Sequence, residues 1–249
     1  MLVYNKPDVQ IAFGDKSVCI DAEEYRRIYK SPSFFFQRSC FIPVVCYPLL
    51  EYVSFNQIVF LRQTHGTKGC IIDNEQSVVP RPFEKEGDFL ITNKRGLGLA
   101  IMTADCLPII FYDSVQQVCA IAHAGWKGSV AGIASVVIEH MKNIFGCSLS
   151  SIKIIFGPAA KCCCYEIKNP LVSEVEKKSG TGVFLDRRGQ SVYLDLALFN
   201  QKIIYDNYDI GSNAFCFDHN LCTICNRSYC SYRRQKIKAG RNLTVVALR

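Results

Sequence analysis

Leu97-Gly98-Leu99-Ala100-Ile101-Met102, Pro108-Ile109-Ile110-Phe111-Tyr112 and Val118-Cys119-Ala120-Ile121 follow one another with only short spacers between them. Each is a brief apolar run, and turn formers bound them at Lys94-Arg95-Gly96 and Asp113-Ser114, which predicts strands. The period then changes. Gly125 to Gly128 opens a stretch from Ser129 to Phe145 in which Val130, Ile133, Val136, Val137, Met141, Ile144 and Phe145 recur at helical intervals. Ser129 is the expected N-cap and Gly146 the expected stop. Strands in quick succession followed by a helix predict an α+β fold, with mixed β-sheets flanked by helices in a single compact domain.

The same grammar extends outward. Strands are expected at Ile58 to Leu61, Phe89 to Ile91, Ile152 to Phe156 (ending at Gly157-Pro158) and Leu243 to Leu248. Their spacing suggests a meander or hairpins. A second helix is expected over Pro170 to Lys178, with proline in its first turn, and a third after Asp195 as far as Tyr205. Met1 to Tyr52 is less legible, offering a helix at Ala22 to Tyr29 and an aromatic run, Phe34-Phe35-Phe36. There are no internal repeats and no low-complexity segments.

A chain of 249 residues with 49% hydrophobic content can bury a large core. Its net charge is +7, with the densest basic cluster at Arg233, Arg234, Lys236, Lys238 and Arg241. Such a cluster suits phosphate or a nucleotide. One Trp and no alternation of aromatic with basic residues argue against a nucleic-acid platform. No apolar stretch is long enough to span a bilayer. The first twenty residues lack an apolar signal region and a small-residue cleavage site, so a cytoplasmic protein is expected. Its 14 cysteines then read as reduced thiols, because disulfide frameworks belong to small secreted chains. Cys162-Cys163-Cys164 and Cys222-x-x-Cys225 look like metal or redox motifs. No second pair at zinc-ribbon spacing accompanies them, and they are expected to be metal-free.

Three residues carry the chemistry. They are His65 in Gln63-Thr64-His65-Gly66, Cys106 in Ala104-Asp105-Cys106-Leu107-Pro108, and His123 in Ala122-His123-Ala124-Gly125-Trp126. Each follows a strand-like run that could deliver it to one rim. Zinc favours mixed nitrogen and sulfur ligands, and three of them leave the fourth position open to water or substrate. Taken singly, each could instead be a buried thiol or a hydrogen-bonded imidazole. His140, in mid-helix, and His219, in a polar loop, read as structural or exposed.

These motifs, with Gly87-Asp88, Ala124-Gly125-Trp126-Lys127-Gly128, Gly157-Pro158, Cys164-Tyr165-Glu166, Cys222-Thr223 and Ser231-Tyr232-Arg233-Arg234, stand in the order of a known family. The chain resembles the laccase-domain, or multicopper polyphenol oxidase, family from about Phe34 to Arg249. That family is associated with purine nucleoside phosphorylase activity, and some bacterial members are described as peptidoglycan editing factors. The resemblance implies zinc on His65, Cys106 and His123, phosphorolysis of adenosine, inosine and methylthioadenosine, and adenosine deamination. The partners it implies are a purine nucleoside and phosphate. Two departures bear on substrate preference. An N-terminal segment of about 1–55 is divergent and lacks the family's Asn-Arg pair, and Gln235 to Ala239 is one residue longer than usual.

In a phosphorylase, Arg233 and Arg241 suit phosphate because guanidinium is a planar fork of donors. Lys127 could add charge at a helix N-terminus, and Gln63 joins them as a substrate-binding candidate. Asp105 and Glu166 are candidates for proton transfer or for support of a ligand histidine. Other readings use the same residues. Cys106 could be the thiolate nucleophile of a cysteine hydrolase or amidase, with His123 or His65 as its base. A closed site with Cys164 or Cys225 as fourth ligand would make a non-catalytic module. Copper is the weaker choice of metal, since four histidines in all are too few for a multicopper relay and no axial Met motif is present.

Overall fold

Every residue of Leu97–Thr103, Leu107–Asp113 and Val118–Ala124 is buried, because both faces of each strand are covered. The computed structural model describes residues 1–30, 44–74 and 79–249, apart from the side chains of 28–30 and 44–47. The Phe34-Phe35-Phe36 run lies outside the described residues. In chain order the strands are β1 (Leu2–Asn5), β2 (Val9–Phe13), β3 (Cys19–Ile20), β4 (Gln57–Phe60), β5 (Gly69–Ile72), β6 (Phe89–Thr92), β7 (Leu97–Thr103) and β8 (Leu107–Asp113). They continue with β9 (Val118–Ala124), β10 (Ile152–Phe156), β11 (Glu166–Ile167), β12 (Leu185–Arg188), β13 (Ser191–Leu194), β14 (Phe215–Cys216) and β15 (Arg241–Leu248). The helices are α1 (Ala22–Lys30), α2 (Trp126–Val130), α3 (Ile133–Phe145), α4 (Leu171–Ser179), α5 (Leu196–Asn207) and α6 (Tyr232–Gln235).

Two mixed sheets form the body. The first runs β1-β2-β15-β7-β4, with β3 also on β15; the second runs β14-β10-β8-β9-β6-β5. A small sheet, β11-β13-β12, stands apart from both. Side-chain alternation then builds the layers. Leu97, Leu99 and Ile101 of β7 meet Ile110 of β8 and Cys119 and Ile121 of β9 in the core between the sheets. Ala100 and Met102 face the other way, into an outer cluster against which Tyr25 of α1 packs. On the far side, Ile109 and Phe111 of β8 and Ala120 and Ala122 of β9 pack on Ile133, Val137 and Met141 of α3 and on Phe199 of α5. The order is therefore helix, sheet, sheet, helices, which agrees with the expected α+β class.

The expected strands are present with shifted ends, and β8–β9 is a hairpin running from Leu107 opposite Ala124 to Asp113 opposite Val118. The strands do not form a simple meander, because β6 and β7 belong to different sheets. The expected single helix is also two. Gly132, at a φ of +85°, breaks it into α2 and α3. Ser129 is not an N-cap but a buried residue whose hydroxyl accepts from Asn200 Nδ2 at 2.9 Å. Gly146 does end α3 in the left-handed conformation, and Asp195 caps α5 by accepting from the amides of Ala197 and Leu198. The poorly legible N-terminal part supplies three strands, of which β2 lies inside the first sheet. No helix among the described residues is long and apolar enough to cross a membrane.

Candidate metal centre and active site

The chain changes sheets twice near one rim. Between β4 of the first sheet and β5 of the second lies the connection that carries His65; between β7 and β8 lies Ala104-Asp105-Cys106. Both crossings are tight, and His65 (φ +62°) and Asp105 (φ +88°) occupy the left-handed region that non-glycine residues seldom adopt. The third residue, His123, is near the end of β9 and alternates with Cys119 and Ile121, so it points into the seam between the sheets. The metal-binding atoms of His65, Cys106 and His123 all lie within 4.8 Å of one another. The two imidazole rings meet edge to face, 4.7 Å between centroids.

Asp88, just before β6, fixes two of the three. One of its carboxylate oxygens accepts from His65 N at 2.9 Å and from His123 Nδ1 at 2.8 Å. The other accepts from Thr64 Oγ1 (2.9 Å), Thr64 N (3.2 Å) and Gly66 N (2.7 Å). With Nδ1–H donating to Asp88, His123 keeps Nε2 for Cys106 or a metal, the orientation found around metal-binding imidazoles, which bind once that nitrogen gives up its proton. Burial pushes the Asp88 carboxyl up, but His123 and the Gly66 amide lower it further than that, so it stays ionised.

The electrostatics prepare the sulfur as well. Burial pushes the Cys106 thiol up; the charge and hydrogen bond of His123, then His65, bring it down to about 6. Burial lowers His123, while Cys106 and Asp88 raise it to about 9. Cys106 is thus a thiolate at neutral pH, the form in which cysteine ligates metals or acts as a nucleophile. Space matches charge at this point. A Cβ on Gly125 would stand 3.0 Å from Cys106 Sγ and 3.1 Å from His65 Cδ2, so a side chain there would crowd the converging donors. Two imidazoles, one thiolate and an open side fit a divalent metal of the zinc type.

This centre opens into a cavity of about 200 Å³. Tyr25, Tyr232 and Arg241 line it with the three donors, and Gln63, Met102 and Ala104 complete the wall. Of the basic candidates, Arg241 is therefore at the site, its guanidinium stacked 4.0 Å from the Tyr25 ring centroid and held by the carbonyls of Ala239 and Gly240. Arg233 lies over Tyr165 at 4.9 Å and donates to the Glu166 carbonyl. Lys127 is exposed and sits over Trp126. It is not part of the cavity wall. Gln63 lines the wall, but its amide exchanges hydrogen bonds with both backbone groups of Met102, in the manner of a strand partner.

The acidic candidates have structural duties. Asp105 accepts from Thr223 Oγ1 at 2.8 Å and from the Arg233 amide at 2.6 Å, which makes it a tie between two loops. Glu166 accepts from Ser191 Oγ at 3.0 Å and also lies off the cavity wall. His140 packs on Phe89 and His219 on Phe13, both away from the centre, as their sequence positions suggested. Sequence reasoning overlooked Asp88, Tyr25 and Tyr232. Two of the three stand inside family motifs, Gly87-Asp88 and Ser231-Tyr232, while Tyr25 carries no signal beyond its place in a helix.

The chain also has informative relatives. A family model described as multi-copper polyphenol oxidoreductase laccase matches residues 48–249. A purine nucleoside phosphorylase of Clostridium acetobutylicum is 32% identical over 202 residues, 80% of each chain. An adenosine deaminase, RL5, from an unknown prokaryotic organism is 29% identical over 200 residues, covering 77% of this chain and 75% of that one. The solved structure of the hypothetical protein YfiH of Bacillus licheniformis shares the fold, with a TM-score of 0.71 at 24% identity over 97% of this chain and 93% of its own.

Proposed function

The chain belongs to the multi-copper polyphenol oxidoreductase laccase family, and on that footing we propose that it is a zinc-dependent purine nucleoside phosphorylase acting on adenosine and inosine. One observation carries the reading: the His65, Cys106 and His123 donors share a cavity with a guanidinium, Arg241, and two tyrosines. In phosphorolysis a phosphate oxygen bonds to ribose C1′ as the bond from C1′ to the purine nitrogen breaks. The electron pair leaves with the base, which takes up a proton, and ribose 1-phosphate is the other product.

The residues divide this work. His65, Cys106 and His123 would hold the zinc, which supplies Lewis acidity at its open position. Arg241 offers the anion a planar fork of donors, already oriented by Tyr25 and two carbonyls, so little freedom is lost when phosphate arrives. Tyr232, half exposed at the mouth, gives a purine a flat surface to stack on. Asp88 keeps the histidines aimed, and Asp105 anchors the Arg233 segment beside them. Methylthioadenosine, altered only at the 5′ carbon, belongs to the same substrate class. Deamination of adenosine, in which water replaces the 6-amino group and ammonia leaves, would use the same open position. A copper relay finds no support, since the two histidines outside the centre are packed on phenylalanines.

The lowered Cys106 thiol beside His123 favours one second reading, a cysteine hydrolase or amidase. Metal binding and nucleophilic attack compete for one sulfur, so a metal count separates them. For the phosphorylase, Arg241→Ala should raise the phosphate KM about tenfold or more with zinc content unchanged, because an anion clamp lost from the ground state appears mainly in KM. Arg233→Ala should do so less. Equal phosphate KM values for Arg241→Ala and the unaltered protein would count against the assignment.

A further inference from the structure

Four cysteines that the reaction does not use come together on the other side of Asp105. Cys163 and Cys164 lie in the turn before β11, and Cys222 and Cys225 in the turn-rich segment before α6. Their four sulfur atoms all lie within 4.8 Å of one another. Cys163 Sγ and Cys225 Sγ are 3.9 Å apart. Sulfurs around a tetrahedral zinc, each about 2.3 Å from the ion, stand about 3.8 Å from one another. A disulfide would bring two of them to about 2.0 Å. The Cys163–Cys225 separation is that of two ligands around an ion, and the other sulfurs lie close enough to join them. The sequence offered no second pair for Cys222-x-x-Cys225, and the fold supplies one from a distant segment.

The backbone fixes both pairs. Leu221 O accepts from Ala159 N and Ala159 O from Thr223 N, each at 3.0 Å, which pins the chain on either side of Cys222 next to the start of the Cys163 turn. Asn226 N donates to Cys222 O, closing the turn around Cys225. Across the cluster, Arg188 donates to the Cys162 and Cys163 carbonyls. The amides of Cys225, Ile224 and Lys161 and the Cys163 thiol hydrogen-bond to the Cys222 sulfur. Amides gathered around a cysteine sulfur favour its thiolate. Four thiolates held this close would repel one another unless a cation joined them.

We propose that Cys163, Cys164, Cys222 and Cys225 form a closed tetrathiolate site for a structural zinc ion, separate from the His65-Cys106-His123 centre. Binding exchanges thiol protons, which go to solvent, for one ion, and no sulfur is oxidised. With four protein ligands the site has no open position, so its role is to hold. It ties together the segments that carry Glu166 and Thr223. Thr223 Oγ1 donates to Asp105, whose other oxygen accepts the Arg233 amide, while Arg233 reaches back to Glu166 O. Arg234 adds bonds to the Thr223 and Ile224 carbonyls. The ion would therefore brace the Asp105 and Arg233 segments, which adjoin the cavity residues Ala104, Cys106 and Tyr232.

The test is a zinc count on protein purified without chelator, reading about two ions per chain if both sites fill. Cys163→Ser/Cys225→Ser should lose one ion and keep the other, and His65→Ala/His123→Ala should do the reverse. Cobalt substitution of the unaltered protein should show tetrathiolate absorption bands, and the His65→Ala/His123→Ala protein should retain them. The cobalt spectrum decides the matter even if the serine variant fails to fold. Equal zinc in the serine variant and the unaltered protein, absent tetrathiolate bands, or a Cys163–Cys225 disulfide in non-reducing peptide maps would overturn the proposal. None of these outcomes bears on phosphorolysis, which depends on the other centre.

Discussion

A methyl group at position 125 would press on two of the three donors at once, at 3.0 Å from Cys106 Sγ and 3.1 Å from His65 Cδ2. Gly125→Ala should therefore weaken zinc binding about tenfold or more while leaving the melting temperature of the metal-free protein within a few degrees. Competition with a chromophoric chelator measures the first and calorimetry the second. Asp88→Asn should go further. It places an NH2 donor where an oxygen now accepts several N–H and O–H groups, and it weakens the grip on His123. Roughly 2 kcal/mol or more of stability should be lost in urea unfolding, with zinc affinity down about 10- to 100-fold. At this scale His65, Cys106 and His123 were legible because ligand chemistry is written in single residue types. The work of Asp88 was not, since its partners are set by the fold. The partners of Asp105 were hidden for the same reason: its two oxygens accept from Thr223 and Arg233, which come from a distant part of the chain.

At the scale of elements, the short α2 shapes the site because Gly125 and His123 meet the metal centre at its start, while α3 serves the core. Gly132 separates them at a φ of +85°, with open space around its missing Cβ apart from Lys178 Nζ at 3.8 Å. Gly132→Ala should thus cost only the left-handed backbone strain, about 1 kcal/mol, with zinc content unchanged in the same preparation. The heptad-like spacing of Val130 to Phe145 concealed this break, because a left-handed glycine leaves the apolar periodicity almost intact. The runs in β7, β8 and β9 were legible since two covered faces demand unbroken apolar sequence. Those of β1 were not: its residues are half-buried or exposed, and β2 is held in place by β15 from the far end of the chain. α1 was foreseen as a helix but not as part of the site. Its Tyr25 supports Arg241, so Tyr25→Ala should raise the phosphate KM by several-fold with little change in kcat, as steady-state kinetics would show.

Across the whole molecule, the reaction centre stands where the chain twice leaves one sheet for the other. Two donors come from the crossings and the third from a strand in the seam. That arrangement explains why motifs widely separated in sequence converge, and the core around them is fixed by both sheets without the help of a metal. Removing zinc should therefore abolish turnover while the far-ultraviolet spectrum changes little. The most direct measurement of the central claim is product analysis by chromatography after zinc-loaded protein meets inosine, with and without phosphate. The account predicts hypoxanthine and ribose 1-phosphate only when phosphate is present, and neither from His123→Ala. Equal release of hypoxanthine without phosphate, with free ribose as the partner product, would contradict it.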